Sequence, residues 1–194
     1  MEVLYKLGYG LYLLSAKANE RDNACIINTF MQVTDESFVM AVNKQHLTHD
    51  MILSSKEFNI SVLTTKTPFS IFERFGFQTG KNADKFVGFD GISHSKNNLK
   101  YLTQNTNSFL SFEVTDIADY NTHTLFTAKM TDSGVLSKDD SLTYSYYHQF
   151  VKPKPTAKSG WRCTICNFVY DGELPKDYIC PICKRDASVF VKEK

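Results

Sequence analysis

Cys163, Cys166, Cys180 and Cys183 form two Cys-x-x-Cys pairs, with thirteen residues between the pairs. Two residues between cysteines let both sulfurs of one turn reach the same ion. Two such turns facing each other give a closed tetrahedral set of four thiolates, which suits zinc or iron. Zinc there is a structural staple, whereas iron is a one-electron carrier. The choice of metal therefore decides the function of this segment. The fifth cysteine, Cys25, stands far from the others and reads as a small buried apolar residue.

The pairs lie in a frame of Trp161, Tyr170, Gly172, Pro175, Tyr178, Pro181 and Phe190. With that frame, residues 159–192 resemble rubredoxins, in particular the short-loop form at the end of rubrerythrins. The resemblance implies one iron held by the four cysteines, shielded from water by the aromatics. N–H to sulfur hydrogen bonds and burial are the levers on such a centre. Rubredoxins usually place glycine after each second cysteine, where the backbone turns left-handed. This chain has Asn167 and Lys184 there. Asparagine tolerates that conformation and lysine adopts it at a cost.

Upstream no dinucleotide fingerprint, phosphate loop or paired-histidine zinc motif occurs. Three stretches carry a second resemblance. They are Asn23-Ala-Cys25-Ile-Ile-Asn28-Thr29, Val42-Asn43-Lys44 with Thr48 following, and Phe75-Gly76-Phe-Gln-Thr-Gly80-Lys81 continuing to Asp84-Lys85-Phe86. With Gly10-Leu-Tyr-Leu-Leu-Ser and His123-Thr-Leu-Phe126, they are similar to the FMN-binding split barrel of the flavin reductase and flavoredoxin family, over residues 4–150.

That resemblance implies a homodimer with FMN near the subunit interface. It places Asn28 and Thr29 beside the flavin ring. Asn43, Lys44 and Thr48 fall on the ribityl phosphate side, with Lys81 and Lys85 as further phosphate cations. A phosphate needs N–H groups, hydroxyls and a cation, and an isoalloxazine needs an apolar slot with a few donors. Lys81 and Lys85 equally suit a solvated loop. His123 matches the family's histidine near the nicotinamide side, as a donor to ring or substrate, or it satisfies a strand neighbour. His46, His49, His94 and His148 read as ordinary surface or loop residues, and Tyr144, Tyr146 and Tyr147 as core and dimer packing.

Behind these residues the sequence is strand-rich. Seven segments carry β-branched and aromatic residues with partial alternation: 11–17, 25–31, 37–42, 57–63, 108–117, 124–130 and 142–147. One helix is expected after Thr48 as N-cap. A second is expected from Thr67 as N-cap and Pro68 at the first helical position to Arg74, ended by Gly76. The expected fold is mainly β, a split barrel with short helices (residues 1–150) and a small metal domain (161–194). Between them, 151–160 carry prolines and lysines and read as a linker, reaching roughly 30 Å if extended.

The whole chain has 194 residues, 42% hydrophobic, with a formal net charge of +1. No basic excess exists for nucleic acid. No apolar run approaches a membrane span, and residues 7–16 read as a strand rather than a secretory leader. Cys-x-x-Cys pairs without such a leader indicate a reducing, cytoplasmic setting.

A flavin barrel fused to an iron module resembles the high-molecular-weight rubredoxins of anaerobic bacteria. Those link NADH to flavodiiron proteins that reduce nitric oxide or dioxygen. The resemblance implies transfer from NAD(P)H through FMN to Fe(Cys)4 and on to such a partner. The alternatives are a flavoredoxin-type carrier without nicotinamide oxidation, and a flavin-binding domain with a structural zinc ribbon.

Overall fold

Alternation along each strand sorts the barrel's side chains into an inside and an outside. In β1 (Tyr12–Ala18), Leu14 and Ala16 point inward; in β2 (Arg21–Ile27), Cys25 and Ile27 do the same. They meet Phe38, Met40 and Val42 of β4 (Phe38–Asn43) and Phe58 and Ile60 of β5 (Glu57–Leu63). Phe112 of β8 (Thr106–Tyr120), with Phe126 and Ala128 of β9 (His123–Val135), completes the interior. Phe112 is its centre: it stacks on Phe58 at 5.0 Å and meets Phe30 and Phe38 edge-on. Met51 and Ile52 of α1 (Leu47–Ser55) pack against the same cluster. The computed structural model describes residues 6–153 and 160–193.

The seven strands form one antiparallel sheet in the order β2-β1-β5-β8-β9-β4-β3, where β3 is Phe30–Gln32. Its two edge strands, β2 and β3, are consecutive in the chain and joined only by Asn28 and Thr29. The sheet therefore curls until its edges share one short connection, a barrel split at a seam. Bulges in the β8–β9 hairpin at 111/112 and 114/116 supply extra local coiling.

The outer face of β1 and β2 is covered too. Leu13 and Ala24 join Leu63, Ile71, Phe72, Phe75, Phe86, Leu102 and Tyr147 in a second apolar layer. It is built from α2 (Phe69–Ile71), which runs on as a wider π-type turn through Phe72–Phe77, and from the hairpin of β6 (Ile92–His94) and β7 (Lys100–Leu102). Buried polar residues hold that hairpin: Asn59 donates to Ser95 Oγ (2.7 Å) and to Leu99 O (3.0 Å), and Leu102 N–H donates to Ser61 Oγ (3.1 Å). These pairings satisfy groups that burial would otherwise penalise.

Several expectations need correction. The segment 25–31 is not one strand. β2 begins at Arg21 and the ladder breaks at Asn28–Thr29, where the chain changes edges. The segment 142–147 is not a strand: Thr143 caps α3 (Tyr144–Tyr146), which continues as a π-type turn through Tyr147–Val151. Its aromatics gave a strand-like composition, but they pack as a helical patch, Tyr147 against Phe72 at 4.4 Å. Thr48 is not an N-cap. His46 holds that position, and Thr48 lies buried in the first turn. Pro68, not Thr67, precedes α2; the Thr67 hydroxyl instead donates to Asn105 O and accepts from Thr64 N–H. Gly76 does not end the helix, which continues to Phe77.

The C-terminal unit is a three-stranded sheet, β11-β10-β12, of Val169–Tyr170, Gly160–Cys163 and Phe190–Glu193. Of the expected linker, 154–159 lie outside the described residues. Val151 packs against the barrel's second layer and Gly160 opens β10.

Candidate functional site

The two Cys-x-x-Cys turns are built alike. Asn167 N–H donates to Cys163 O (2.9 Å) and Cys163 N–H to Phe168 O (2.8 Å). In the second turn Lys184 N–H donates to Cys180 O (3.0 Å) and Cys180 N–H to Arg185 O (2.7 Å). Each turn needs a left-handed residue after its second cysteine, and Asn167 (φ 66°) and Lys184 (φ 58°) take that conformation as expected. Backbone N–H groups then reach the sulfurs: Phe168 N–H to Cys166, Arg185 N–H to Cys183, and those of Ile165 and Cys166 to Cys163. The four sulfurs converge within 4.8 Å of one another, with Cys163–Cys183 at 3.6 Å and Cys166–Cys180 at 3.5 Å. A tetrahedron with metal–sulfur bonds of about 2.3 Å has edges close to these. All four cysteines are buried among Trp161, Phe168, Tyr170, Tyr178 and Phe190, so a metal there is shielded from water.

A second concave site opens where α1 begins. Gln45, His46, Leu47 and Thr48 face Asn23 and Cys25 of β2, residues 75–80, and Lys85, around a cleft of about 100 Å³. The α1 N-terminus has no side-chain cap, so its first N–H groups are open to an acceptor. The Nδ1 of His46 is buried there without a partner, and burial lowers the pKa of this imidazole, so the neutral form is favoured. The Lys85 ammonium donates to Ala24 O and Phe75 O (2.9 Å each), and burial holds its pKa down to about 8. A Cβ on Gly80 would meet Asn23 Oδ1 at 2.2 Å, so the glycine lets the loop close onto β2.

A wider apolar cleft of about 540 Å³ runs along the seam and the outer face of β4. Tyr9, Gly10, Tyr12, Asn28, Thr29, Phe30, Met31, Val39, Ala41 and Leu125 line it. Thr29 is fixed by a hydrogen bond from its hydroxyl to Ala41 O (2.8 Å). Beyond Ala41 and its partner Leu125, the same face carries Asn43 opposite His123. Gln45 of the smaller cleft follows. The end of β4 and the turn closed by His46 N–H on Asn43 O (3.0 Å) thus lie between the two clefts.

Residues 4–153 match the family described as "Flavin reductase like domain", and residues 161–191 match "Rubrerythrin, rubredoxin-like domain". The chain belongs to the flavin reductase like family. It is 34% identical to the high molecular weight rubredoxin of Moorella thermoacetica, over 97% of each chain. It is also 35% identical to a ferric-chelate reductase (NAD(P)H) of Archaeoglobus fulgidus, over 79% of this chain and 92% of that one. Among solved structures it resembles an NADH:FAD oxidoreductase of Streptomyces globisporus (TM-score 0.67, 14% identity, 74% of this chain and 85% of that one). It also resembles an FMN-binding protein of Thermus thermophilus (TM-score 0.60, 15% identity, 66% and 71%). A flavin reductase like domain carries a flavin, and a rubredoxin-type four-cysteine centre indicates iron.

The two clefts fit a flavin mononucleotide by their own chemistry. The larger one has apolar walls and the seam's polar Asn28 and Thr29 for a ring; the smaller has open N–H groups, an orphaned His46 nitrogen and a buried cation for a phosphate. The expected residues divide among three places. Thr48 and Lys85 share the smaller cleft, and Asn28 and Thr29 share the larger. Asn43 and His123 are cross-strand neighbours between them. Asn43 accepts from Gln45 N–H, and His123 Nδ1 lies 2.9 Å from Thr122 Oγ1. Lys44 is paired with Asp119 at the β8–β9 turn, outside both clefts, and Lys81 is exposed beside the smaller one.

Lys85 is therefore not part of a solvated loop. Nor are His46 and His49 ordinary surface residues. His49 is buried, with Nε2 on Thr124 Oγ1 and Nδ1 on Asp50 (2.9 Å each). Sequence reasoning missed Gln45, His46, Thr79 and Gly80. They stand inside or beside the quoted stretches, but the clefts use their backbone positions more than any conspicuous side chain. Cys25, as expected, is a buried residue of the barrel interior, its thiol pKa raised by burial.

The iron module and the barrel touch. Phe77, at the end of the α2 segment, lines the smaller cleft and also packs on the four-cysteine cluster. Cys163 and Cys166 lie within electrostatic reach of Lys152, and Cys166 of Tyr147, so the first turn is on the side of the α3 end of the barrel.

Proposed function

We propose that this flavin- and iron-carrying oxidoreductase oxidises NAD(P)H and passes the electrons singly to a separate redox protein, such as a flavodiiron nitric oxide or dioxygen reductase. A bound flavin supplies the exchange between hydride and single-electron chemistry, and a bound iron supplies one-electron carriage. The observation that carries the reading is Phe77, which belongs at once to the wall of the smaller cleft and to the shell of the four cysteines. Two redox sites in one packed unit have a direct use in sequential transfer.

The chain's residues then divide the work. Thr48, the first turn of α1, His46 and Lys85 hold the phosphate, with Lys81 at its margin. Asn28 and Thr29 orient the ring at the seam. His123, on the open face opposite Asn43, positions the nicotinamide or donates to the ring. Asn43 keeps the β4–α1 turn in place, and Lys44 braces it through Asp119. The exposed apolar Met31 and Val33 beside the larger cleft support a homodimer that covers the flavin ring. Residues 1–150 and 161–194 are the two domains, joined by 151–160. No helix among the described residues is long and apolar enough to cross a membrane. The reading places the protein in the cytoplasm of an anaerobe or microaerophile.

Anaerobic mixing with NADH and NADPH, followed in the visible, tests the assignment. The expected result is bleaching of flavin and of iron–thiolate absorption in the same reaction. Bleaching by a reduced protein donor but by neither nicotinamide would instead make it a flavoredoxin-type carrier. A colourless protein with one zinc per chain would sink both.

A further inference from the structure

The smaller cleft has one wall from outside the barrel. Arg185, two residues past Cys183 in the second metal turn, lines it together with Thr79, Gly80, Lys85 and the start of α1. It also lines the adjoining cleft of Gln78, Thr79, Asn82, Ala83, Cys183 and Lys184. The backbone of Arg185 is fixed by the metal turn itself: its carbonyl accepts from Cys180 N–H at 2.7 Å and its N–H donates to Cys183 Sγ. Its side chain is exposed at the cleft rim, next to Asp186.

We propose that Arg185 is a flavin-phosphate ligand supplied by the iron module, so that binding of FMN and docking of that module are coupled within one chain. This rests on the smaller cleft being the phosphate site. Planar guanidinium is suited to a phosphate, which it meets through two parallel N–H donors. Lys85 alone is a weak phosphate partner, because two backbone carbonyls already occupy its ammonium. Lys81 is exposed beside the cleft without lining it, whereas Arg185 is an exposed cation in the wall itself. Coupling is reciprocal. If the docked module strengthens FMN binding, FMN strengthens docking by the same factor, and it brings the iron beside its own chain's flavin.

The test is flavin fluorescence quenching by the full-length, iron-loaded, flavin-free protein, with FMN and with riboflavin, which lacks the phosphate. Arg185→Ala is expected to weaken FMN about tenfold and leave riboflavin unchanged. Arg185→Lys, which keeps the charge, falls between. Amide hydrogen exchange around Cys183–Arg185 should slow with FMN and not with riboflavin. Thr48→Val separates the two readings. If it weakens FMN while Arg185→Ala does not, the phosphate cleft stands and the role of Arg185 is overturned. If neither weakens FMN, the cleft itself is misassigned and both fall. Equal loss of FMN and riboflavin in Arg185→Ala would also overturn the proposal, since the residue would then act through packing.

Discussion

The metal centre and the two clefts proposed for the flavin show two ways of making a binding site. The metal centre is made from side chains: four thiolates on two short turns, with so small an apolar shell that the ligands are themselves the core. The two clefts are made from backbone and position: a helix start, a break between two strands, a glycine that lets a loop close. The first leans on its ligand, because only a small three-stranded sheet and a thin aromatic shell otherwise gather the chain. The second rests on a barrel whose phenylalanine interior holds its shape alone. One unit is folded by what it binds, and the other binds because of how it is folded.

Substitutions should therefore affect the two units separately. The largest effect expected is from Cys166→Ser, which abolishes iron binding and unfolds residues 161–193. Metal analysis and the visible spectrum would show the loss, while the barrel's own unfolding transition stays in place. Barrel unfolding together with the metal unit would break the contrast. Phe112→Ala comes next, costing the barrel about 3–5 kcal/mol in denaturant unfolding because it empties the centre of the aromatic cluster. Its iron content should match the unaltered protein.

Lys85 gives a pH signature to the flavin-free barrel. Its pKa falls from 10.5 to about 8 on folding. Between these values the unfolded chain holds more protons, so stability rises with pH across that window and is flat below it. Burial of Cys25 raises its thiol and opposes this above about pH 9, so the readout is the difference from Lys85→Met, which loses the rise. A parallel profile in the two proteins would show that Lys85 keeps its ordinary pKa. The smallest effect belongs to Lys184→Gly. Relief of the left-handed lysine should stabilise the metal unit by about 1 kcal/mol, seen as slower iron loss to a chelator. Asn167→Gly should change it less.

The same division explains what the sequence made legible. The metal site lies within twenty-one consecutive residues, so spacing alone named its ligands, and the left-handed positions at Asn167 and Lys184 followed from the turn chemistry. Most barrel strands were visible in their alternation. The segment 142–147 was misread because its tyrosines and leucine fit a strand or a packed helical patch equally, and tertiary contact with Phe72 decided for the helix. The two clefts proposed for the flavin draw on residues from 8 to 85 together with Leu125 and Arg185. Two of their contributors, the open N–H groups of α1 and the buried nitrogen of His46, have no side-chain signature. Which residue started the helix could not be told from Thr48, whose type suits a cap but whose place is inside the first turn.

The seam at Asn28–Thr29 bears on how the chain folds. β1–β2 and β3–β4 are local hairpins joined by two residues, yet they stand at opposite ends of the sheet with β5, β8 and β9 between them. Neither hairpin can reach its final neighbour until that later part of the chain has been made and paired. The long β8–β9 hairpin, turned by only Asn121 and Thr122, is the cheap early event, and meeting of the edges at the seam is the late, high-contact-order one. A flavin lying across that seam would therefore act on the last step of assembly, slowing the barrel's opening more than it speeds its closing.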